Sequence, residues 1–257
     1  MKGKHAVQAA YLLLIYGFLY IPIGVLIVYS FNDSKYSLEW QGMTWTWYQN
    51  LFDDPDLLQV ALNSALVATL SATVATMIGT MAAVALYRYA FFGKSLLQGL
   101  IFVLMMTPDI VMGIALLILF ASLRLPLGFW TLLLAHITFN IPFVVVTVFS
   151  RISGFDRHLI EAAKDLGATE FQTVRCVILP LLVPAVGAGW LLSFTLSMDD
   201  VMVSFFVTGP TFEILPLKIY SMVRLGVTPE INALCTIMLG ATLMLILIAQ
   251  LLLREKS

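Results

Sequence analysis

Six stretches of the chain, residues 7–30, 57–86, 95–121, 128–150, 177–197 and 231–253, consist almost wholly of apolar side chains. A helix needs about 20 such residues to cross a hydrocarbon layer ~30 Å thick, since each residue advances it by only ~1.5 Å. Lipid offers backbone amides no partner, so an apolar crossing of this kind is constrained to be helical. The rest of the chain cannot turn these stretches into a soluble core. Of all residues 60% are hydrophobic and 11% charged, where a soluble domain carries about 25% charged. The chain therefore reads as an all-α polytopic membrane protein with six transmembrane helices. That excludes a soluble enzyme, a disulfide-stapled secreted domain and a disordered tail. A net charge of −1 supplies no bulk field for nucleic acid. Cys176 and Cys235 lack metal-ligand spacing and read as buried small hydrophobes.

The first stretch follows Lys2, Lys4 and His5, like the n-region of a signal peptide. It is too long for an h-region and no small-x-small site follows it, so it reads as an uncleaved span. An even number of spans puts both termini on one side. With the termini cytoplasmic, ten Lys/Arg lie inside (Lys2, Lys4, Arg88, Lys94, Arg151, Arg157, Lys164, Arg175, Arg254, Lys256). Four lie outside: Lys35, Arg124, Lys218 and Arg224. The excess of cations in inner loops selects this orientation. Acidic residues divide the other way, and Asp109 alone falls inside a span. The outer loop 31–56 carries Trp40, Trp45, Trp47 and Tyr48, aromatics suited to the headgroup level. The outer stretch 199–229 holds an apolar segment, 201–207, too short to cross, and is cut by Gly209-Pro210 and Pro216. It reads as a re-entrant or interfacial element, tolerated at depth where protein or a water-filled cavity receives its polar groups.

The inner loop 151–176 reads as helix–turn–helix. Asp156 can cap its first helix, Leu159, Ala162, Ala163 and Leu166 form one apolar face, and Gly167 stops it. Thr169 and Phe171 lead on towards the fifth span, whose start Pro180 marks. A short amphipathic helix of this kind suits docking into a groove of a soluble partner, and it equally suits lying on the inner leaflet.

The order Glu161-Ala162-Ala163, three residues, Gly167, nine residues, Val177-Ile178-Leu179-Pro180 resembles the EAA loop of ABC-importer permease subunits. Val177 stands where that family's pattern has Ile. The resemblance extends over AVALYRY (83–89), MMTPDIVM (105–112), GFW and HITF within 128–139, PFVVVTV (142–148), SFTLSMDDVMVS (193–204), FVTGP (206–210) and EILPLKIYSMV (213–223). Over nearly its whole length the chain is similar to the permease subunits of spermidine/putrescine ABC importers. This resemblance implies a type I importer permease fold in a bacterial inner membrane. It implies an N-terminal helix and outer loop over 1–56, a permease domain over 57–253 with its coupling loop at 151–180, and a cytoplasmic tail at 254–257. Glu161, Ala162, Ala163, Asp165, Leu166, Gly167 and Pro180 would form the ATPase-coupling segment. The implied partners are a second, related permease, two ATP-binding subunits and a periplasmic polyamine-binding protein. ATP and Mg would belong to the ATPase subunits, so this chain would bind no cofactor and catalyse nothing. Gly93-Lys94-Ser95 imitates the end of a P-loop, but Arg88 stands where that motif needs glycine, and the tripeptide opens a span.

A polyamine carries ammonium groups separated by methylenes, so its path calls for carboxylates and aromatic faces. A carboxylate at membrane depth is costly enough to point to function, and Asp109 is such a residue. Along a straight helix it would lie about 21 Å from Ser95, in the outer half. Pro108 before it removes a backbone hydrogen bond and can bend the helix. Asp199 and Asp200 fall at the outer end of the fifth span. Asp109, Asp199 and Asp200 are thus candidates for a cation pathway, with Trp40, Trp45 and Tyr220 as aromatic contacts. The same residues also admit structural readings: a hydrogen bond to a neighbouring span, a solvated helix end, and membrane anchoring for the tryptophans. His136, within the fourth span, reads as a neutral histidine packed on a neighbouring helix. Gly79, Gly113, Gly187 and Gly189 read as close helix-packing positions. An ion-coupled secondary transporter of organic cations, an intramembrane enzyme, or an ABC permease for another cationic solute are the competing readings. The first predicts several intramembrane acids or an inverted repeat, and the second a nucleophile with its base at span depth.

Overall fold

The computed structural model describes residues 2–34, 39–156 and 158–254. Lys35, Arg157, Glu255 and Lys256, used above for orientation, and the tail beyond Arg254 lie outside them. The described residues form helices and carry one isolated antiparallel bridge, Asn32 with Met43. In chain order these are α1 (Lys2–Tyr29), α2 (Thr46–Asp53), α3 (Pro55–Arg88), α4 (Lys94–Met106), α5 (Asp109–Ser122), α6 (Phe129–Ser153), α7 (His158–Asp165), α8 (Glu170–Thr173), α9 (Leu179–Asp199), α10 (Met202–Val207), α11 (Leu215–Leu225) and α12 (Pro229–Arg254). A π-helical turn, Val174–Ile178, joins α8 to α9 without a break. Among the described residues four segments are long and apolar enough to cross a membrane, within α1, α3, α6 and the run Glu170–Asp199, and the pair α4–α5 makes a fifth if taken as one.

Two compact units divide the chain: Met1–Gln59 with Lys218–Ser257, and Val60–Leu217. In the first, α12 packs against α1 and α2. The segment after α1 is pinned by its own polar groups. Asn32 Nδ2 donates to the Glu39 carbonyl at 2.8 Å, Gln41 N–H donates to Asn32 Oδ1 at 2.9 Å, and Trp47 Nε1 donates to the Asn32 carbonyl at 2.8 Å. Trp45 stands edge-on to Phe31 with centroids 4.9 Å apart. Several of the aromatics expected at the headgroup level thus pack on their own chain.

In the second unit, glycine lets helices approach where a side chain would not fit. A Cβ on Gly79 of α3 would stand 2.7 Å from Val144 Cβ of α6, and one on Gly113 of α5 would stand 2.6 Å from the Phe206 ring of α10. Gly189 of α9 meets Val144 at ordinary contact distance. Two apolar clusters result. One gathers Leu86, Ile101, Val145, Val148, Ile152, Ile178 and Leu182 at one end of α3, α6 and α9. The other gathers Val67, Met112, Leu116, Phe120, Leu132 and Val203 at the opposite end. Between them α3, α6 and α9 bury polar side chains: Ser71, His136, Asn140, Ser193 and Ser197.

Three expectations need correction. The third apolar stretch is not a straight span: α4 and α5 meet at 111° across Thr107-Pro108. Pro108 cannot donate to an i−4 carbonyl and holds its neighbour Thr107 extended, at ψ 129°. The rise along one axis therefore does not locate Asp109, which instead opens α5. The helix of the fifth span starts at Glu170 rather than near Pro180. Pro180 lacks the N–H that a regular turn would use there, and the π turn before it, with Leu179 N–H donating to the Val174 carbonyl, lets the helix run on. Cys176 is exposed and Cys235 half-buried in this chain. An apolar run that faces lipid or another subunit shows its side chains when the chain stands alone.

The close approach at Gly79 predicts a specific defect. Gly79→Leu should cost about 1–3 kcal/mol through overpacking against Val144. Gly99→Leu, where nothing lies within 4 Å, should be neutral. Thermal unfolding in detergent should separate them by roughly 5 °C.

Candidate functional site

α7 and the turn behind it form a small projecting foot. Asp156 Oδ1 accepts from His158 N–H at 3.0 Å, capping the first turn. The helix ends in a Schellman motif: Ala168 N–H donates to the Ala163 carbonyl at 3.0 Å and Gly167 N–H to the Lys164 carbonyl at 2.8 Å. This closure needs a left-handed residue, and Gly167 sits at φ +81°. Thr169 then caps α8 in a capping box with Gln172, at 3.3 and 2.8 Å. Much of the foot is exposed: Glu161, Ala162, Asp165 and Gly167 are open, Leu166 is 88% exposed and Phe171 70%. An apolar side chain held this far out, on a helix braced at both ends, is built to be covered by another surface. Ala163 is half-buried.

Charge ties this foot to the span before it. Glu170 accepts from Arg88 Nε at 3.0 Å and from its Nη2, and Lys164 Nζ lies 2.8 Å from the other carboxylate oxygen. Arg88 ends α3, Lys164 lies on α7 and Glu170 opens α8, so one carboxylate joins three elements. Exposed ion pairs are screened by solvent and add little stability, so this clamp bears on orientation rather than on folding.

The second cluster lies in the polar layer. His136 is fully buried. Its Nε2 lies 2.9 Å from Ser204 Oγ and its Nδ1 is bonded to Ser197 Oγ. Ser204 donates its hydroxyl to Asp200 Oδ2 at 2.7 Å and its N–H to the same oxygen at 2.8 Å, while Val203 N–H donates to Oδ1 at 3.2 Å. Since the Ser204 proton goes to Asp200, its oxygen accepts from His136 Nε2–H. Ser197 Oγ in turn stands 3.1 Å from Ser71 Oγ, whose hydroxyl donates to the Ala68 carbonyl at 3.2 Å, and His136 Nε2 also lies 3.6 Å from Asp200 Oδ2. Asp200 anchors the first turn of α10, and His136 ties that turn to α6 and α9.

The three aspartates come together in part. Asp109 opens α5, where a carboxylate is favoured by the helix dipole. Asp199 ends α9 and is exposed. Asp200 sits beside Asp199 with both oxygens engaged. Trp40, Trp45 and Tyr220 belong to the first unit. Trp40 stands edge-on to Tyr29 at 6.2 Å, Trp45 is 59% exposed, and the Arg224 guanidinium lies 5.5 Å over the Tyr220 ring. Pro180 follows the π turn. Among the described residues no group of three His, Cys, Asp or Glu could hold a metal. Sequence reasoning missed Ser197 and Ser204 as the partners of His136, with Ser71 behind Ser197, and Arg88 and Glu170 as the brace of the foot. The available signal was Ser204 four residues after Asp200, the spacing of one helical turn.

Residues 75–254 match the family model described as "Binding-protein-dependent transport system inner membrane component". The chain is 58% identical over 250 residues to the spermidine/putrescine transport system permease protein PotC of Escherichia coli (strain K12), covering 97% of this chain and 95% of that protein. It is 41% identical over 240 residues to the putrescine transport system permease protein PotI of the same strain, covering 90% and 84%. Among solved structures, a chain of the bacterial alginate ABC transporter in complex with an alginate pentasaccharide-bound periplasmic protein superposes with TM-score 0.76 at 17% identity. That match covers 99% of this chain and 96% of the other.

Removing His136 should loosen α10 selectively. In His136→Leu the Ser197 and Ser204 hydroxyls lose a buried partner, at about 1–3 kcal/mol each. Hydrogen–deuterium exchange should then speed up at residues 202–207 while α3 keeps its protection. Unchanged exchange there would mean that the relay does not hold this helix.

Proposed function

The chain belongs to the family of binding-protein-dependent transport system inner membrane components, and from that premise we propose that it is the membrane-spanning permease subunit of an ATP-driven polyamine importer. Its cargo is spermidine or putrescine, taken from a periplasmic binding protein and delivered to the cytoplasm. The observation that carries this reading is the exposed foot at α7, closed at Gly167 and followed by an unbroken helical run from Glu170 to Asp199. Relatives that transport spermidine with putrescine, and putrescine alone, support the class of solute.

In this reading the bacterial inner membrane holds six crossings with both termini cytoplasmic. A second, related permease completes the passage, and two ATP-binding subunits carry ATP and Mg and perform hydrolysis. Glu161, Ala162, Ala163, Asp165, Leu166 and Gly167 seat in a cleft of the ATPase, and Pro180 marks where the thrust enters the span. ATP binding closes the ATPase pair, the seated foot follows, and the run to Asp199 carries that movement to the outer end. Asp109 and Asp199 attract the ammonium groups, and Asp200 joins them while holding α10 through Ser204. Trp40, Trp45 and Tyr220 offer aromatic faces to the solute.

Two experiments test this. Gly167→Trp forces a large side chain into the left-handed turn and should abolish both co-purification with the ATPase and uptake. Retention of both would remove the foot from coupling. Asp109→Asn should lower spermidine uptake about tenfold at limiting substrate, the loss of one charged contact worth ~1.4 kcal/mol, while leaving assembly with the ATPase intact. Polyamine-stimulated ATPase activity in proteoliposomes reads both variants.

A further inference from the structure

At the end of the second unit that carries the foot, α3, α4 and α6 enclose a cavity of about 300 Å³. Leu86, Ile101 and Val145 form its buried floor, Val146 is half-buried on its wall, and Gln98 and Ser150 stand exposed at its edge. Nothing in it is charged, so it suits a hydrocarbon chain. Its rim suits something else. Lys94 lies one helical turn before Gln98 on the same face of α4, and Arg151 directly follows Ser150. Lys94 Nζ bonds only the Tyr89 carbonyl, at 3.2 Å, and the Arg151 guanidinium lies 5.7 Å over the Phe155 ring. Among the described residues neither cation is paired with a carboxylate. No acidic residue occurs in 87–97 or 141–155, and the next one, Asp156, is engaged by His158 N–H. Beside it the loop between α3 and α4 presents Phe92 fully exposed, at 106%, and Tyr89 half-exposed, aromatics that favour the headgroup zone.

We infer that this groove binds an anionic phospholipid, with an acyl chain in the cavity between α3, α4 and α6 and the headgroup phosphate between Lys94 and Arg151. An apolar slot closed by two free cations at a span end is the chemistry that selects a charged lipid over a zwitterionic one. The N-terminus of α4, a 13-residue helix starting at Lys94, adds a favourable dipole for the phosphate. Arg88 takes no part, because Glu170 holds it.

Native mass spectrometry of the full chain, released from nanodiscs of mixed phosphatidylglycerol and phosphatidylcholine with identical acyl chains, tests this. The wild-type chain should retain phosphatidylglycerol over phosphatidylcholine by roughly tenfold, as two lysine- or arginine-strength contacts allow. Val146→Trp fills the cavity but leaves both cations, and it should lose the retained lipid. Lys94→Gln with Arg151→Gln leaves the cavity intact, and it should keep a lipid while losing the preference. Equal retention of the two lipids by the wild-type chain overturns the inference. So does phosphatidylglycerol retained unchanged by the folded Val146→Trp chain. If that variant fails to fold, the paired glutamine variant decides alone: an undiminished preference overturns the proposal. The same measurement on the chain assembled with its companion subunits completes the test. Loss of the lipid on assembly would assign the groove to a protein neighbour and overturn the proposal.

Discussion

The second unit depends on how it disposes of polar groups at membrane depth. Short helices such as α10 cannot satisfy their backbone and also cross, so they need an anchor inside the protein. His136 provides it, through Ser197 of α9 on one nitrogen and Ser204 of α10 on the other. Asp200 closes the relay by accepting two backbone N–H groups and the Ser204 hydroxyl. Each of these groups would be expensive alone and is inexpensive in company. The layer holding them lies between two apolar clusters, and the close approaches at Gly79 and Gly113 bring α3 to α6 and α5 to α10 around it.

The break at Thr107-Pro108 and the π turn before Pro180 use the same property of proline in opposite ways. At Pro108 the missing N–H and the extended residue before it end one helix and begin another at 111°, which brings Asp109 to the first turn of α5. At Pro180 the helix continues, because the wider turn at Val174–Ile178 absorbs the missing bond. One proline makes a corner at Asp109 and the other preserves a rod. That rod, 30 residues at ~1.5 Å each or about 45 Å, joins the foot to the aspartates.

The parts of the fold legible in the sequence were those that depend on local pattern. α3 and α6 fall close to the apolar stretches 57–86 and 128–150, since length and hydropathy alone decide such helices. The ends of the foot were legible, since Asp156 caps and Gly167 stops it; of the expected apolar face, Leu159, Ala162 and Leu166 are exposed and Ala163 is half-buried. Asp109 after Pro108 marked the bend, but its 111° angle depends on what α5 packs against, notably Phe206 on Gly113. The His136 relay was not legible, because its partners lie 61 and 68 residues away and serine in an apolar run carries no direction. Glu170 was hidden for a related reason. A charge at a span end reads as topology until the fold shows which cations reach it.

Glu170 bears on how force would pass from foot to spans. α7 alone is eight residues, too short to hold its own shape in water. Its two caps prevent fraying but do not fix its direction. Direction comes from the Lys164–Glu170–Arg88 clamp, which ties α7 to the base of one long helix and to the end of another. Swinging such a foot about Gly167 would break these weak ion pairs, whereas a displacement shared by α3 and the Glu170–Asp199 run would keep them. Because Lys164 and Glu170 are half-exposed while Arg88 is largely covered, the Lys164 pair weakens with salt more than the Arg88 pair does, whereas the covalent path through α8 and the π turn does not. Coupling carried mainly by the clamp would therefore be salt-sensitive. Coupling carried through the π turn would instead depend on the helix staying continuous at Pro180.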